Sequence, residues 1–219
     1  MSDRFVLDAS RIRDIAPEVL GPDGRLRVLP ASFWATTTPD ERALFGHRHG
    51  VYSFPTTELV DYLVDVIGAR SAIEVGAGHG VLAEALGIVA TDNWMQAKEP
   101  YRTEITRAGQ PTVQYGPNVV DCHANQAVRR YRPEVVIGCW VTHRYDPRRH
   151  AAGGNEIGVD EEDLLRRCGT YIVVGNEKVH QGKSIWAWPH QIEYPPFVYS
   201  RARNGSRDFI ATWTRRTTT

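Results

Sequence analysis

Ser71-Ala72-Ile73-Glu74-Val75-Gly76-Ala77-Gly78-His79-Gly80 decides how the rest of the chain is read. Ile73 and Val75 stand in a short apolar run, the pattern of a buried strand. The run ends in glycines at every second position. Val81 to Leu86 then has the composition of a helix, with Gly87 as its stop. A strand, a glycine turn and a helix form the first half of a nucleotide-binding α/β unit. Glycine lets the backbone turn tightly and lets a ligand approach without meeting a Cβ atom. The dinucleotide fingerprint G-x-G-x-x-G would need a glycine at position 81, which is Val. The spacing is E-x-G-x-G-x-G, with an acid two residues before the first glycine. A glycine turn that holds no ligand looks the same in isolation, so the following strand decides.

Ile88-Val89-Ala90-Thr91-Asp92 is a second apolar run, and it ends in an acid. Asp92 lies 18 residues after Glu74, near the spacing of about 20 for an acid that hydrogen-bonds ribose hydroxyls. The structural alternative for Asp92 is a cap on the turn before Asn93. Glu74, the three glycines and Asp92 together resemble motif I of the class I S-adenosylmethionine (SAM)-dependent methyltransferases. The resemblance implies SAM as cofactor, with Glu74 near its cationic amino-acid end. Gly76, Ala77, Gly78 and Gly80 would pass under the ribose, and Asp92 would hold its hydroxyls. Asp121-Cys122 resembles the acid and small residue that contact the adenine in that family; the alternative for Asp121 is a helix N-cap. The stretch from Tyr52 through Pro55, Thr57, Glu58 and Leu59 resembles a segment that closes over SAM, so Tyr52 either covers the cofactor or packs under the next helix.

Composition sets the outer limits. The chain has 219 residues, 42% hydrophobic and 24% charged, enough for one globular α/β domain with a buried core. Twenty-six basic and 26 acidic residues cancel to a formal charge of zero, which gives no global attraction to nucleic acid or to an acidic membrane. No stretch has the length of a membrane-spanning helix, and Met1-Ser2-Asp3-Arg4 lacks the basic segment and apolar run of a secretory signal. The cysteines Cys122, Cys139 and Cys168 are odd in number and form no C-x-x-C pair, so free thiols in a reducing cytoplasm are expected. His47 and His49 have metal-ligand spacing without a second ligand cluster, and no metal is expected.

The remaining segments complete a doubly wound α/β fold. Thr38-Pro39-Asp40-Glu41 is a helix start, and that helix should stop near Gly46. Leu59, Val60, Leu63 and Ile67 share one face of a helix over 56–67 that ends at Gly68. Residues 93–117 read as a long irregular excursion, either functional or a surface insertion. A run at 119–124 precedes a helix through Arg130, and strands are expected at 133–140 and 170–174, then a closing hairpin from Phe197–Ser200 and Asp208–Trp213. The expectation is a mostly parallel seven-stranded sheet with one antiparallel strand, plus an N-terminal helical cap. Residues 1–50 form the cap or lid and 51–219 the SAM-binding domain, in one compact unit; the tail from Arg215 to Thr219 should fray.

Acceptor chemistry is expected beyond the strand that ends at Cys139, because ligands of such sheets sit past the carboxyl ends of the strands. Cys139 belongs to the cofactor set, and Trp140, His143 and Tyr145 are the candidate catalytic residues. An acceptor that holds a proton needs a base near neutral pH; His143 is the first candidate and His123 the second. The alternative for His143 is a loop histidine bonded to backbone. Arg144, Arg148, Arg149 and His150 form a basic cluster, either solvated or holding a substrate phosphate or carboxylate. The implied activity is methyl transfer to a small molecule. Two alternatives remain: a SAM-binding protein without catalysis, and a nucleic-acid or protein methyltransferase. Against nucleic acid stand the neutral charge and the missing Asp/Asn-Pro-Pro-aromatic motif.

Overall fold

The computed structural model describes residues 9–215; the start of the chain, read as carrying no signal, and the tail beyond Arg215, read as frayed, lie outside the described residues. The described chain opens with a 3-10 turn, Ala9–Arg11, and a short α1, Ala16–Val19. After α2 (Ala31–Ala35) comes α3 (Pro39–His49), which begins as the sequence predicts. Thr38 Oγ1 accepts from Glu41 N, and the Glu41 carboxylate accepts from Thr38 N, which closes a capping box. The helix runs past Gly46 and ends at Gly50, which takes φ 65°. Gly46 serves packing, not termination: a Cβ there would lie 2.5 Å from Val51 O and 2.7 Å from the Arg201 side chain.

The elements then alternate: β1 (Ser53–Phe54), α4 (Thr57–Ile67), β2 (Ala72–Val75), α5 (Val81–Leu86), β3 (Val89–Asp92), α6 (Tyr101–Arg107), β4 (Val119–Asp121), α7 (Ala124–Tyr131), β5 (Val135–Cys139), α8 (Glu161–Leu165), β6 (Thr170–Asn176), α9 (Glu177–His180), β7 (Gln191–Glu193), β8 (Tyr199–Ser200) and β9 (Asp208–Thr214). The central sheet has seven strands in the order β4-β3-β2-β5-β6-β9-β7. All pairs from β4 to β6 are parallel; β9 runs antiparallel to both β6 and β7 and is the one reversed strand. The expected sheet is therefore present, with a different closing pair. The partner of β9 is Gln191–Glu193. Phe197–Ser200 contributes β8, which leaves the sheet and pairs with β1 through Ser53↔Ser200 and Phe54↔Tyr199.

Alternation along the strands builds two cores. Val136, Tyr171 and Val173 face α7 and α8, while Val135, Ile137, Ile172 and Val174 face Leu59, Leu63 and Ile67 of α4. A third cluster, from Ile15 through Trp34 and Phe45 to Phe54, packs against Val81 of α5. The N-terminal segment is thus anchored on the helix that follows the glycine turn. Successive strands run outward from β2 in one direction and from β5 in the other, so the crevice between β2 and β5 is the topological switch point. Among the described residues no helix is long and apolar enough to cross a membrane.

Candidate functional site

The glycine turn opens at that switch point. Gly76, Gly78 and Gly80 all have positive φ, at 64°, 54° and 73°. A Cβ at Gly76 would lie 2.6 Å from Val141 Cγ1, and one at Gly80 2.5 Å from Val119 Cγ2. At Gly78 the nearest atom is Val113 Cγ1, at 3.4 Å, and this glycine borders a cavity. The outer glycines therefore let neighbours close on the turn, and at the middle one a Cβ would touch only Val113.

Two acids brace the turn from beneath. Glu74 is 2% exposed and accepts from Ala83 N at 3.0 Å. Burial pushes its carboxyl from the usual 4.5 to about 8. Asp92, at the end of β3, accepts from Gly78 N at 3.0 Å and from Trp94 N at 3.1 Å, one bond on each oxygen. Burial raises its pKa as well. The cap role and a ligand role coexist here, because each oxygen keeps a lone pair and Asp92 lines the cavity.

Three further segments wall the cavity. Tyr52 comes from the stretch before β1, under the Arg201 guanidinium at 3.7 Å and 6.3 Å from the Trp140 ring. Cys139 and Trp140 come from the end of β5; burial lifts the Cys139 thiol to about 12. Trp140 holds φ at 59°, a left-handed conformation that a bulky residue keeps only when its surroundings impose it. Its indole Nε1 is buried without a partner, as is Asn155 Oδ1, also from a residue of the cavity lining. The third segment is the 93–117 excursion. Tyr115 stacks on Trp94 with centroids 5.1 Å apart and planes 5° from parallel. Its hydroxyl accepts from Gln96 N, and Gln96 Oε1 accepts from Val113 N. These contacts fold the excursion back over the turn, so that Met95, Gln96, Val113 and Tyr115 line the cavity. The sequence reading named none of these four as site residues; the only signal was the length of the loop and its aromatics.

Of the residues singled out in the sequence, Tyr52, Glu74, Gly76, Ala77, Gly78, Asp92, Cys139 and Trp140 border this one cavity. Gly80 stays in the turn, against Val119. Asp121 and Cys122 do not reach it, a correction to the expected adenine contact. The Asp121 carboxylate turns outward to Lys98 Nζ, at 2.8 Å, and Cys122 is buried in the core beside Val75 and Ala127. The next residues, His123 and Ala124, take the wall position.

His143 and Tyr145 are the second correction. Residues 142–145 run as an extended ribbon beside 155–159, bonded through Val159 N to Thr142 O, Arg144 N to Val159 O and Tyr145 N to Asn155 O. Cys139 to Thr142 line the glycine cavity, and the chain then passes to a second cleft, lined by His143, Arg144 and Tyr145. The Tyr145 hydroxyl bonds His150 Nδ1 at 2.9 Å.

Fold and cavity together define a doubly wound α/β protein with a cavity at its switch point and one reversed strand, β9, inserted between β6 and the edge strand β7. No family model matches the chain, and no curated protein matches it. Solved structures do match. A precorrin-6y C5,15-methyltransferase from Geobacter metallireducens is 12% identical over 73% of this chain and 89% of its own, with a TM-score of 0.39. An O-methyltransferase from Bacillus cereus, in complex with SAH, is 16% identical over 72% of this chain and 80% of its own, at 0.36. TehB from Haemophilus influenzae is 8% identical over 80% and 67%, at 0.38. Likenesses at these scores carry no weight in assigning function, which rests on the chain's own residues.

Proposed function

We propose that the chain is a SAM-dependent methyltransferase acting on a small-molecule acceptor. What carries the reading is the convergence, on one cavity at the switch point, of Gly78, the Asp92 carboxylate and two orphaned polar atoms, Trp140 Nε1 and Asn155 Oδ1. The donor set suits SAM. The free lone pairs of Asp92 accept ribose hydroxyls, and Glu74, once ionised, offsets the ammonium. The orphaned atoms are one donor and one acceptor, and SAM carries both a carboxylate and an exocyclic amine. Residues up to about 50 serve as a cap on α5 and residues 51–219 as the binding domain, with Tyr52 as lid.

Bound SAM would supply a methyl group on a sulfonium, already a good leaving group. The protein's task is to align the acceptor and exclude water, and positioning supplies most of the rate. Tyr52, Trp140 and Thr142 line the β5 end of the cavity and would shape the acceptor's place. For an acceptor that must lose a proton, His123 is the available imidazole. The other one bordering the cavity, His79, is half-buried and held near 4 by desolvation.

One observation favours a second reading, a SAM-binding protein without catalysis: His143 and Tyr145 line the second cleft and not the cavity. Calorimetry with SAM and with S-adenosylhomocysteine, followed by methyl turnover on metabolite pools, separates the two. Gly78→Val should remove binding while leaving a folded protein, since the strain of a branched residue at positive φ costs about 1–3 kcal/mol. Wild-type protein that gives no heat with either compound overturns both readings.

A further inference from the structure

The second cleft lies between residues 143–153 and the start of α8. Its floor is polar and buried. Glu161 is 4% exposed, and its Oε1 accepts from Lys183 Nζ and from the Tyr171 hydroxyl, each at 2.8 Å. Lys183 also donates to Val141 O at 2.9 Å, which fixes the ammonium against the carboxylate. Glu161 Oε2 is buried and has no partner, and neither has His143 Nε2. Both residues belong to the wall of the cleft. A buried carboxylate oxygen without a donor is costly, and it marks a place where a donor is missing.

The mouth has the opposite character. Arg148 is paired with Asp146, and Arg166 with Glu162. Arg144 approaches Asp160 only to 3.8 Å. Arg149 donates to the Gly182 carbonyl at 3.3 Å and has no carboxylate partner among the described residues. The cleft therefore offers acceptors within and, at its rim, the unpaired guanidinium of Arg149 beside Arg144, whose ion pair with Asp160 is long. A simple anion would bring no donor to Glu161 Oε2, and a simple cation would meet Arg149 and Arg144. A metal ion would find His143 and Glu161 without a third ligand, since no group of three metal-binding side chains gathers among the described residues. A zwitterion satisfies both ends.

We propose that this cleft binds a free amino acid, its ammonium donating to Glu161 Oε2 and His143 Nε2 and its carboxylate held by Arg149 and Arg144. The site is separate from the glycine cavity, and nothing in the inference uses SAM. The test is calorimetry on the full chain with a panel of the common amino acids, each beside its decarboxylated amine and its hydroxy-acid counterpart. At least one amino acid should bind saturably, with a tenfold or greater advantage over both counterparts. Arg149→Ala should weaken that binding tenfold or more. Glu161→Gln alone strands the Lys183 charge, so the variant of choice pairs it with Lys183→Met; this double variant should lose the amino acid. In both variants the heat with SAM should match wild type, which separates failure here from failure of the cofactor reading. The inference is overturned if no amino acid binds, if the hydroxy acid binds as well as the amino acid, or if binding survives in both variants.

Discussion

Replacing Glu74 with Gln should flatten the fall of stability with rising pH. The carboxyl is 2% exposed, and burial lifts its pKa from 4.5 to about 8 against the opposing hydrogen bond from Ala83 N. The folded chain keeps this proton over a pH range in which the unfolded chain has lost it. The resulting stability is fully present below pH 4.5 and is lost as pH rises through about 8. At about 1.4 kcal/mol per pH unit, the loss between pH 5 and pH 8 is about 3.5 kcal/mol. For a chain of 219 residues that amounts to roughly 10 °C in Tm. Gln keeps an oxygen for Ala83 N but cannot ionise. Its added NH2 lowers the whole curve without adding slope.

The assay is thermal unfolding of both proteins across pH 5 to 9 at fixed ionic strength. Other titrating groups are common to the pair, so the difference between the two curves reports Glu74 and its coupling to Asp92 and Cys139. Parallel curves would refute the buried, protonated carboxyl. The same group makes a linked prediction for the cofactor. A cationic ligand beside Glu74 favours its ionised form, so SAM binding at pH 7 should release a proton from wild type and none from Glu74→Gln. Calorimetry in two buffers of different ionisation enthalpy measures this.

On the acid side the sign reverses: desolvation holds His79 near 4 and His180 near 3, against 6.5 unfolded, so both contribute stability above pH 6.5 that is lost as pH falls through those values. Tm should therefore drop below pH 6.5 equally in wild type and Glu74→Gln, and a flat acid limb would count against neutral imidazoles. Lys183→Met leaves Glu161 with only the Tyr171 hydroxyl and should cost about 3–5 kcal/mol in urea unfolding; adding Glu161→Gln should recover most of it. His143→Ala, for which the sequence alone suggests about a hundredfold loss of turnover, should change turnover and SAM affinity by no more than about threefold, because the ring lies in the second cleft. A hundredfold loss would return His143 to the catalytic site.

The sheet was legible in the sequence where burial writes a pattern. β2, β3, β5 and β6 are apolar runs that lie inside the sheet, and their strand ends follow from the glycines and acids that close them. β7 was not legible. Gln191-Ile192-Glu193 is an exposed edge strand with one apolar residue, and its backbone bonds to β9 leave no mark on composition. The aromatic run at 197–200 was the more strand-like of the two, and it does pair, but with Ser53 and Phe54. The excursion was opaque for a related reason. Its order comes from the Trp94–Tyr115 stack and the Gln96 bonds, which join residues some twenty positions apart, and no local propensity encodes such a pairing.

The cavity itself shows a finer limit. Position in the chain told which loop lies at the switch point but not which side chains of that loop face the crevice. The loop divides by segment: residues 139–142 line the glycine cavity and 143–149 the second cleft. Trp140 stands where the chain leaves β5. Its left-handed backbone turns the chain there, while Trp140 N still donates to Val174 O. Thr142 then faces the glycine cavity and His143 the Lys183–Glu161 floor. A positive φ at tryptophan carries no sequence signature, since the residues that favour it are glycine and asparagine. The indole packs against the rings of Tyr52 and His180, at 6.3 and 5.2 Å between centroids, contacts from distant parts of the chain that hold this conformation. The course of the loop between the two clefts therefore depends on tertiary contacts that local sequence does not encode.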